Sequence, residues 1–350
     1  MRFSILFALL CLAACTAADV QLGDKASNLS EAPIWSYDAQ VADLRARSCP
    51  ADASFKRAEP LALDIVEAEL GSVSARQVNL EGLHLAGAWH LMSDNDEFGG
   101  ISGLDVMRSG SLLAVTDDGK FVWIGIDPET GAPDGVGSIT YLKNQTGKIF
   151  PNKRSADAED LVVRDGLAFV SFEQEHRIEA YDLESCGAAA RAARVVKLDK
   201  VIDGRILENN RGAEALALDG DQLRIGFESQ ASGGSPMGTV HVDGTLADFQ
   251  RTRQPLLFLL TGMDISQDIT AQVFRAYDPA RGPRAILQVR NGGAQIAKAT
   301  LKKPLPVDNF EAVAIAERPD GGTRIWLMSD DNFNKSQRTL LLAFELTQSN

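Results

Sequence analysis

The chain has 350 residues, 45% hydrophobic and 24% charged, which excludes a disordered polypeptide or a multi-span membrane protein and leaves room for one large core. Its 48 acids against 35 Lys and Arg give a net charge of −13 at pH 7, and this excludes a general nucleic-acid binder, because phosphate contacts demand a basic surface. A polyanionic substrate would bind only where local Lys and Arg or a bound cation reverse the sign.

Residues 1–14 read as a signal peptide. Met1-Arg2 precedes an apolar run from Phe3 to Leu12, too short to span a membrane, and Leu12-Ala13-Ala14-Cys15 follows. That tetrapeptide resembles the lipobox of bacterial lipoproteins, so Cys15 is the expected lipidation site and membrane anchor. Thr16 carries no inner-membrane retention signal, which points to a cell-envelope protein on the outer membrane facing the periplasm. An ordinary signal cleaved near Ala17-Ala18 is the alternative. With Cys11 removed and Cys15 lipidated, Cys49 and Cys186 are left to pair in an oxidising compartment or to stay as two thiols. A disulfide between them would contribute on the order of 4–5 kcal/mol on the chain-entropy model. Neither cysteine has a spacing suited to zinc or redox catalysis.

Residues 15–72 read as a tether and N-terminal arm, with one short helix allowed over Trp35 to Arg47. From about Gln77 to Met92 the pattern turns strand-like, first at Val78-Asn79-Leu80 and then from Leu85 to Leu91. Residues 73–350 form the repeat-bearing domain. Five segments open alike: Ile101-Ser102-Gly103-Leu104-Asp105, Ala158-Glu159-Asp160, Ala213-Glu214-Ala215, Leu260-Thr261-Gly262-Met263-Asp264 and Phe310-Glu311-Ala312. Ser102, Glu159, Glu214, Thr261 and Glu311 are 57, 55, 47 and 50 residues apart, a period suited to one four-stranded antiparallel blade per repeat. In four units a second apolar run ends on an acid, at Asp117, Glu173, Glu228 and Asp330. The fold class expected is all-β, a β-propeller of five or six blades, since a sixth assembled from the N-terminal strands fits the same count. The last unit shows three strands, near 311–316, 324–329 and 339–346, so an N-terminal strand would supply the fourth and close the ring.

A residue recurring at one phase of each repeat recurs at one height around the channel, so these acids would form a ring. Crowded carboxylates take up protons or gather a cation such as calcium, which prefers oxygen ligands; the candidate metal ligands are Glu159, Glu173, Glu214, Glu228, Glu311 and Asp330. The competing reading is structural: an inward acid can accept hydrogen bonds from N–H groups of the neighbouring blade and sew the ring together without a metal.

Phe98-Gly99-Gly100-Ile101-Ser102-Gly103-Leu104-Asp105, Thr116-Asp117-Asp118-Gly119, Asp157-Ala158-Glu159-Asp160, Asn210-Arg211-Gly212-Ala213-Glu214 and Asp308-Asn309-Phe310-Glu311-Ala312 resemble the phytase-like family, described as having esterase-like activity of phytase. The run Ser329-Asp330-Asp331-Asn332-Phe333-Asn334 is the most specific match, and the likeness covers roughly residues 84–346. The resemblance implies a secreted or envelope-anchored propeller acting on a phosphate ester or other small-molecule ester, with a need for calcium. The fourth unit departs from it, carrying Thr261 at the key position and Arg275 where relatives often show a Glu-Arg pair, so that blade contributes no matching acid.

Cations close to the ring acids are Arg177, Arg211, Lys335 and Arg338, candidates for binding a phosphate group, with Glu159 or Glu214 as general base. The competing and simpler reading of each basic residue is one half of a surface salt bridge, which is common beside acids. His176 is expected to be an ordinary exposed histidine, and no HxH or HExxH spacing suggests zinc. Gly100-Ile101-Ser102-Gly103-Leu104 fails the GxSxG pattern, so Ser102 is read as the structural counterpart of the glutamates. Two other classes fit the same residues: a non-catalytic propeller binding a ligand or protein, and a propeller lactonase or carboxylesterase.

Overall fold

Strand-length apolar runs broken by Gly, Asp and Asn turns cannot each bury a face alone, and they pair here into antiparallel sheets. The computed structural model describes residues 32–202, 205–206, 211–229 and 233–347; the signal segment 1–14, Cys15, Thr16 and Ala17-Ala18 lie outside them. Five sheets of four or five strands are the blades of a β-propeller. Their inner strands are Ile101–Val106, Ala158–Arg164, Ala215–Asp219, Leu259–Ser266 and Asn309–Glu317. Each lies against the next, and the fifth lies against the first.

Five apolar clusters fill the five spaces between neighbouring blades. Leu104, Trp89 and Trp326 lie between the fifth and first blades, Val115 and Phe172 between first and second, and Phe169 and Ile225 between second and third. Met263 and Phe274 lie on the fourth blade against Ala217 of the third, and Val273 packs with Phe310 between fourth and fifth. Gly103 and Gly262, equivalent residues of the first and fourth inner strands, let neighbours approach: a Cβ would sit 2.7 Å from the Asp160 Cα and 2.3 Å from the Glu311 carbonyl.

The N-terminal region is distributed over several blades. Glu59–Ala62 edges the first, Leu80–Glu81 the fourth, and Asp64–Glu67 with Leu83–Met92 the fifth, where Leu83–Met92 pairs with Thr339–Leu346. Among the described residues these strands assemble no sixth blade. The segment expected to be strand from Gln77 begins instead as a helix, Val73–Asn79, because Ser72 caps it by accepting from the Ala75 N–H at 3.1 Å. Val78 is left 82% exposed on that helix, so its β-branched side chain had no sheet to join.

The arm helix spans Tyr37–Ser48 and is capped by Ser36. Tyr37 and Leu44 bury against the second and third blades. Cys49, just past the helix, is disulfide-bonded to Cys186 of the second blade, with the Cα atoms 5.6 Å apart. Ser48 ties the same place by donating to the Arg191 carbonyl at 2.7 Å and accepting from the Asp182 N–H at 2.8 Å.

Candidate metal centre at the channel mouth

Strand register decides which acids meet. In four inner strands the pairing skips one residue, at Ser102, Glu159, Thr261 and Glu311, each a β-bulge. A bulge adds an unpaired residue and turns its side chain out of the ladder; at Ser102 and Thr261 the hydroxyl then donates to a carbonyl of the next blade, Ala158 at 2.8 Å and Phe310 at 3.2 Å. Glu214, immediately before the paired Ala215, holds the corresponding place in the third blade. The expected counterpart role of Ser102 is thus visible as a shared bulge.

The second set of acids falls on the partner strand one step higher. Asp330 pairs with Asn309, and Glu173 and Asp117 donate their N–H groups to the Asp157 and Gly100 carbonyls. In the fourth blade the register-equivalent residue is Arg275, opposite Leu259. The missing acid has therefore been replaced by a cation pointing into the ring: Arg275 Nε lies 3.1 Å from a Glu311 oxygen. Burial lowers the Arg275 pKa, but Glu311, Glu214, Glu228 and Asp330 outweigh it and hold the guanidinium above its usual value.

These positions gather the carboxylates of Asp117, Asp157, Glu159, Glu173, Glu214, Glu228, Glu311 and Asp330. Ligand oxygens of Asp157, Glu159 and Glu173 lie within 4.8 Å of one another, an arrangement that could hold a metal ion. Burial, then Glu214 and Glu173, raises Glu159 well above the carboxylate range. Burial, then Glu228, Glu173 and Glu311, does the same to Glu214. Burial lifts Glu173 to about 7, against the pull of the Gly212 N–H donated at 2.9 Å. Burial and Glu311 lift Asp330 to about 8. Asn309 steadies Glu311 by donating to it at 2.8 Å, and Lys153 bridges Asp117 and Asp157. Asp157, Lys153 and Arg275 were not among the sequence candidates. Asp157 is flagged only by its place two residues before Glu159, and Arg275 only by the break in the acid pattern.

A different triad lies further along the same strands. Asp105 accepts from the Val106 and Val163 N–H groups at 2.6 and 2.5 Å, Asp160 from Leu161 and Leu216 at 2.8 Å each, and Asp264 from Ile265 and Ile315 at 2.7 Å each. In every case the second donor belongs to the next blade. The structural reading of the acids thus holds for these aspartates, while the glutamates of the bulges face the channel. Burial pushes Asp264 up to about 6 while its two N–H donors pull it back.

The predicted cations separate. Arg338 lines a cavity of about 750 Å³ beside Glu311, together with Arg275, Arg284 and Lys303, and its Nε lies 3.1 Å from Asp308. Arg211 sits near enough to Glu228 to lower its pKa, although burial raises it more. Lys335 is exposed in the turn before Arg338 and does not line that cavity. Arg177 corrects the expectation of a phosphate contact: it is 2% exposed, bonded to Glu179 and to the Ser155 carbonyl, and stacked 3.9 Å from the Phe172 ring centre. His176, expected to be exposed, is 3% exposed, because the third strand of its blade begins at Arg177 and carries it inside.

Residues 96–333 match the family model described as Phytase-like: esterase-like activity of phytase. Among curated proteins no match is found. The chain is similar to the PQQ-bound aldose sugar dehydrogenase of Streptomyces coelicolor, at 13% identity and a TM-score of 0.44 over 82% of this chain and 99% of that one. It is similar to the glutaminyl cyclase of Myxococcus xanthus, at 12% identity and 0.45 over 77% and 97%. The calcium structure of a Trichoderma reesei carbohydrate-active enzyme of family AA12 matches at 10% identity and 0.37 over 85% and 100%.

Proposed function

The chain belongs to the phytase-like family, and from that premise we propose that its channel mouth is a calcium centre at which a phosphate ester is hydrolysed. The observation that carries the reading is the convergence of Asp157, Glu159 and Glu173, two buried and one half-buried oxygen donors whose pKa values are all raised mainly by desolvation. Hard oxygen donors in excess suit calcium, and a divalent cation would relieve the repulsion that now favours protonation. When bound, such an ion polarises a phosphoryl oxygen and lowers the pKa of a water molecule.

The chain's own residues have distinct parts in this scheme. Asp157, Glu159 and Glu173 would be the ion's first ligands, and a bound cation would hold all three deprotonated. Glu159 and Glu214, held well above the carboxylate range without a cation, act as ligands before they act as bases. Arg275, Arg284, Lys303 and Arg338 line the adjoining cavity and give it the positive charge that a phosphate requires in an acidic protein. That wall favours a phosphate ester over an uncharged lactone or carboxylic ester.

Calorimetric titration of calcium into chelator-treated protein tests the centre. Saturable binding that disappears in the Glu159→Gln, Glu214→Gln double variant is expected; no binding, or binding indifferent to the double change, rejects it. Hydrolysis of p-nitrophenyl phosphate that needs calcium and falls in Arg338→Gln is the matching result for the activity. Envelope anchoring through Cys15 belongs to the same proposal and is tested by labelling cells with radioactive palmitate, incorporation being lost in Cys15→Ser.

A further inference from the structure

We propose that the cleft between the third and fourth blades is a second binding site, independent of the mouth, for a small phosphorylated organic molecule. Among the described residues this interface has the thinnest apolar filling. Its cluster holds 8 buried hydrophobic residues, against 14 to 21 at the other four, and a cavity of about 510 Å³ opens beside it. The alternation of the strand Gln222–Gly226 explains this. Leu223 and Ile225 face the second blade and pack there, so Arg224 faces the fourth, where Gln272 rather than an aliphatic residue looks back.

Four arginines, Arg224, Arg251, Arg253 and Arg290, line the cavity with one carboxylate, Asp219. In a chain of net charge −13 such a concentration of cations is a local reversal of sign. Arg251 is held by donating to the Gly234 carbonyl at 2.7 Å, whereas Arg224 reaches Asp219 only at 3.8 Å and its buried Nε has no hydrogen-bond acceptor. Arg290 donates to the Gly293 carbonyl at 3.0 Å and to Gln288 at 3.5 Å. Guanidinium forks match the paired oxygens of a phosphate, while Met237, Met263 and Ile265 offer apolar contact for an organic remainder. The volume exceeds what a bare phosphate would fill. Asp219 ends the inner strand that begins just after Glu214, so about 16 Å of strand separates Asp219 from the mouth, while Met263, two residues beyond the Thr261 bulge, marks the end of the cavity nearest to it.

The probes are glycerol 2-phosphate and inorganic phosphate, titrated calorimetrically into calcium-free full-length protein with glycerol as control. Saturable binding of glycerol 2-phosphate is expected, tighter than that of inorganic phosphate, weakened about tenfold or more in Arg224→Gln, Arg290→Gln and retained in Arg338→Gln. Unchanged affinity in the double variant, or no saturable binding at all, overturns the proposal. So does loss in Arg338→Gln alone, because the ligand then occupies the mouth. If the double variant does not fold, exposed Arg253→Gln carries the test, with a weakening of about threefold expected and none overturning it.

Discussion

Two sets of carboxylates lie on the same inner strands of this propeller and do opposite work. Asp105, Asp160 and Asp264 each receive two backbone N–H groups, one from the neighbouring blade. Beyond burial, Asp264 also raises the pKa of Asp105 and Asp160. Glu159, Glu214 and Glu311 instead meet one another's charge without such paired donors, with Arg275 as counterion to the last. Burial is common to both sets. What separates them is whether the backbone supplies the compensation, and that depends on the bulge, which removes a residue from the ladder and turns its side chain out of it. A buried acid in this propeller is a strut where two N–H groups are aimed at it; Glu173, which accepts the Gly212 N–H and also joins the cluster with Asp157 and Glu159, stands between the two sets.

The largest effect is expected from breaking a strut. Asp160→Asn keeps the volume but leaves one oxygen for two N–H donors, so an amide N–H faces an N–H; the loss should be about 2–3 kcal/mol by urea denaturation. Glu159→Gln at the neighbouring position should cost nothing or stabilise the calcium-free protein, because it removes a crowded charge. Equal destabilisation by both would dissolve the distinction between the sets.

The pH dependence sharpens it next. Glu173 and Asp330 titrate in the fold at about 7 and about 8, above their ordinary values. Acids raised in this way stabilise the fold fully below their unfolded values, and that contribution is lost as pH rises through the folded ones. Calcium-free protein should therefore melt at progressively lower temperature from about pH 4 to pH 8. Saturating calcium should flatten the curve and release protons on binding, measurable in weakly buffered solution. A melting temperature that rises over the same interval without calcium would mean that the mouth acids are already compensated.

Much of this was legible in the residues and some was not. The period from Ser102 to Glu311 and the alternating strands were enough to expect a propeller, because blades repeat at one phase. The apolar residues of 77–92 misled at Val78, where a Ser72 cap acts over a range too short for strand periodicity to reveal. Asp105 and Asp264 stand three residues beyond their bulges and Asp160 only one, so spacing alone could not sort strut from ligand. Arg177 beside Glu173 looked available because sequence proximity says nothing of burial. Arg275 shows in the sequence only as a gap in a pattern; that a cation in the gap faces the carboxylates follows from the register of Leu259 opposite it.

Arg275→Gln tests whether the cation belongs to the acids' balance. Without the guanidinium, Glu311 loses an ion pair at 3.1 Å, so calcium should bind more tightly, by roughly threefold to tenfold, while calcium-free protein becomes less stable above pH 7. Weaker calcium binding would instead assign Arg275 to holding Glu311 in position.

The smallest effect separates the bulge from its charge. Ser102 occupies the bulge of the first blade without being an acid, and its hydroxyl donates to the Ala158 carbonyl of the second blade at 2.8 Å. It therefore does at the mouth level what the aspartates do further along, joining blade to blade, although it donates where they accept. Ser102→Ala removes that bond and leaves a buried carbonyl short of one donor, a loss of about 1 kcal/mol in urea denaturation. Calcium affinity should not change, since the hydroxyl already has its partner in the protein. A fall in calcium affinity comparable to that of Glu159→Gln would show that the whole ring of bulges, charged or not, binds the ion, and the line drawn between strut and ligand would then have to run between strands rather than between residues.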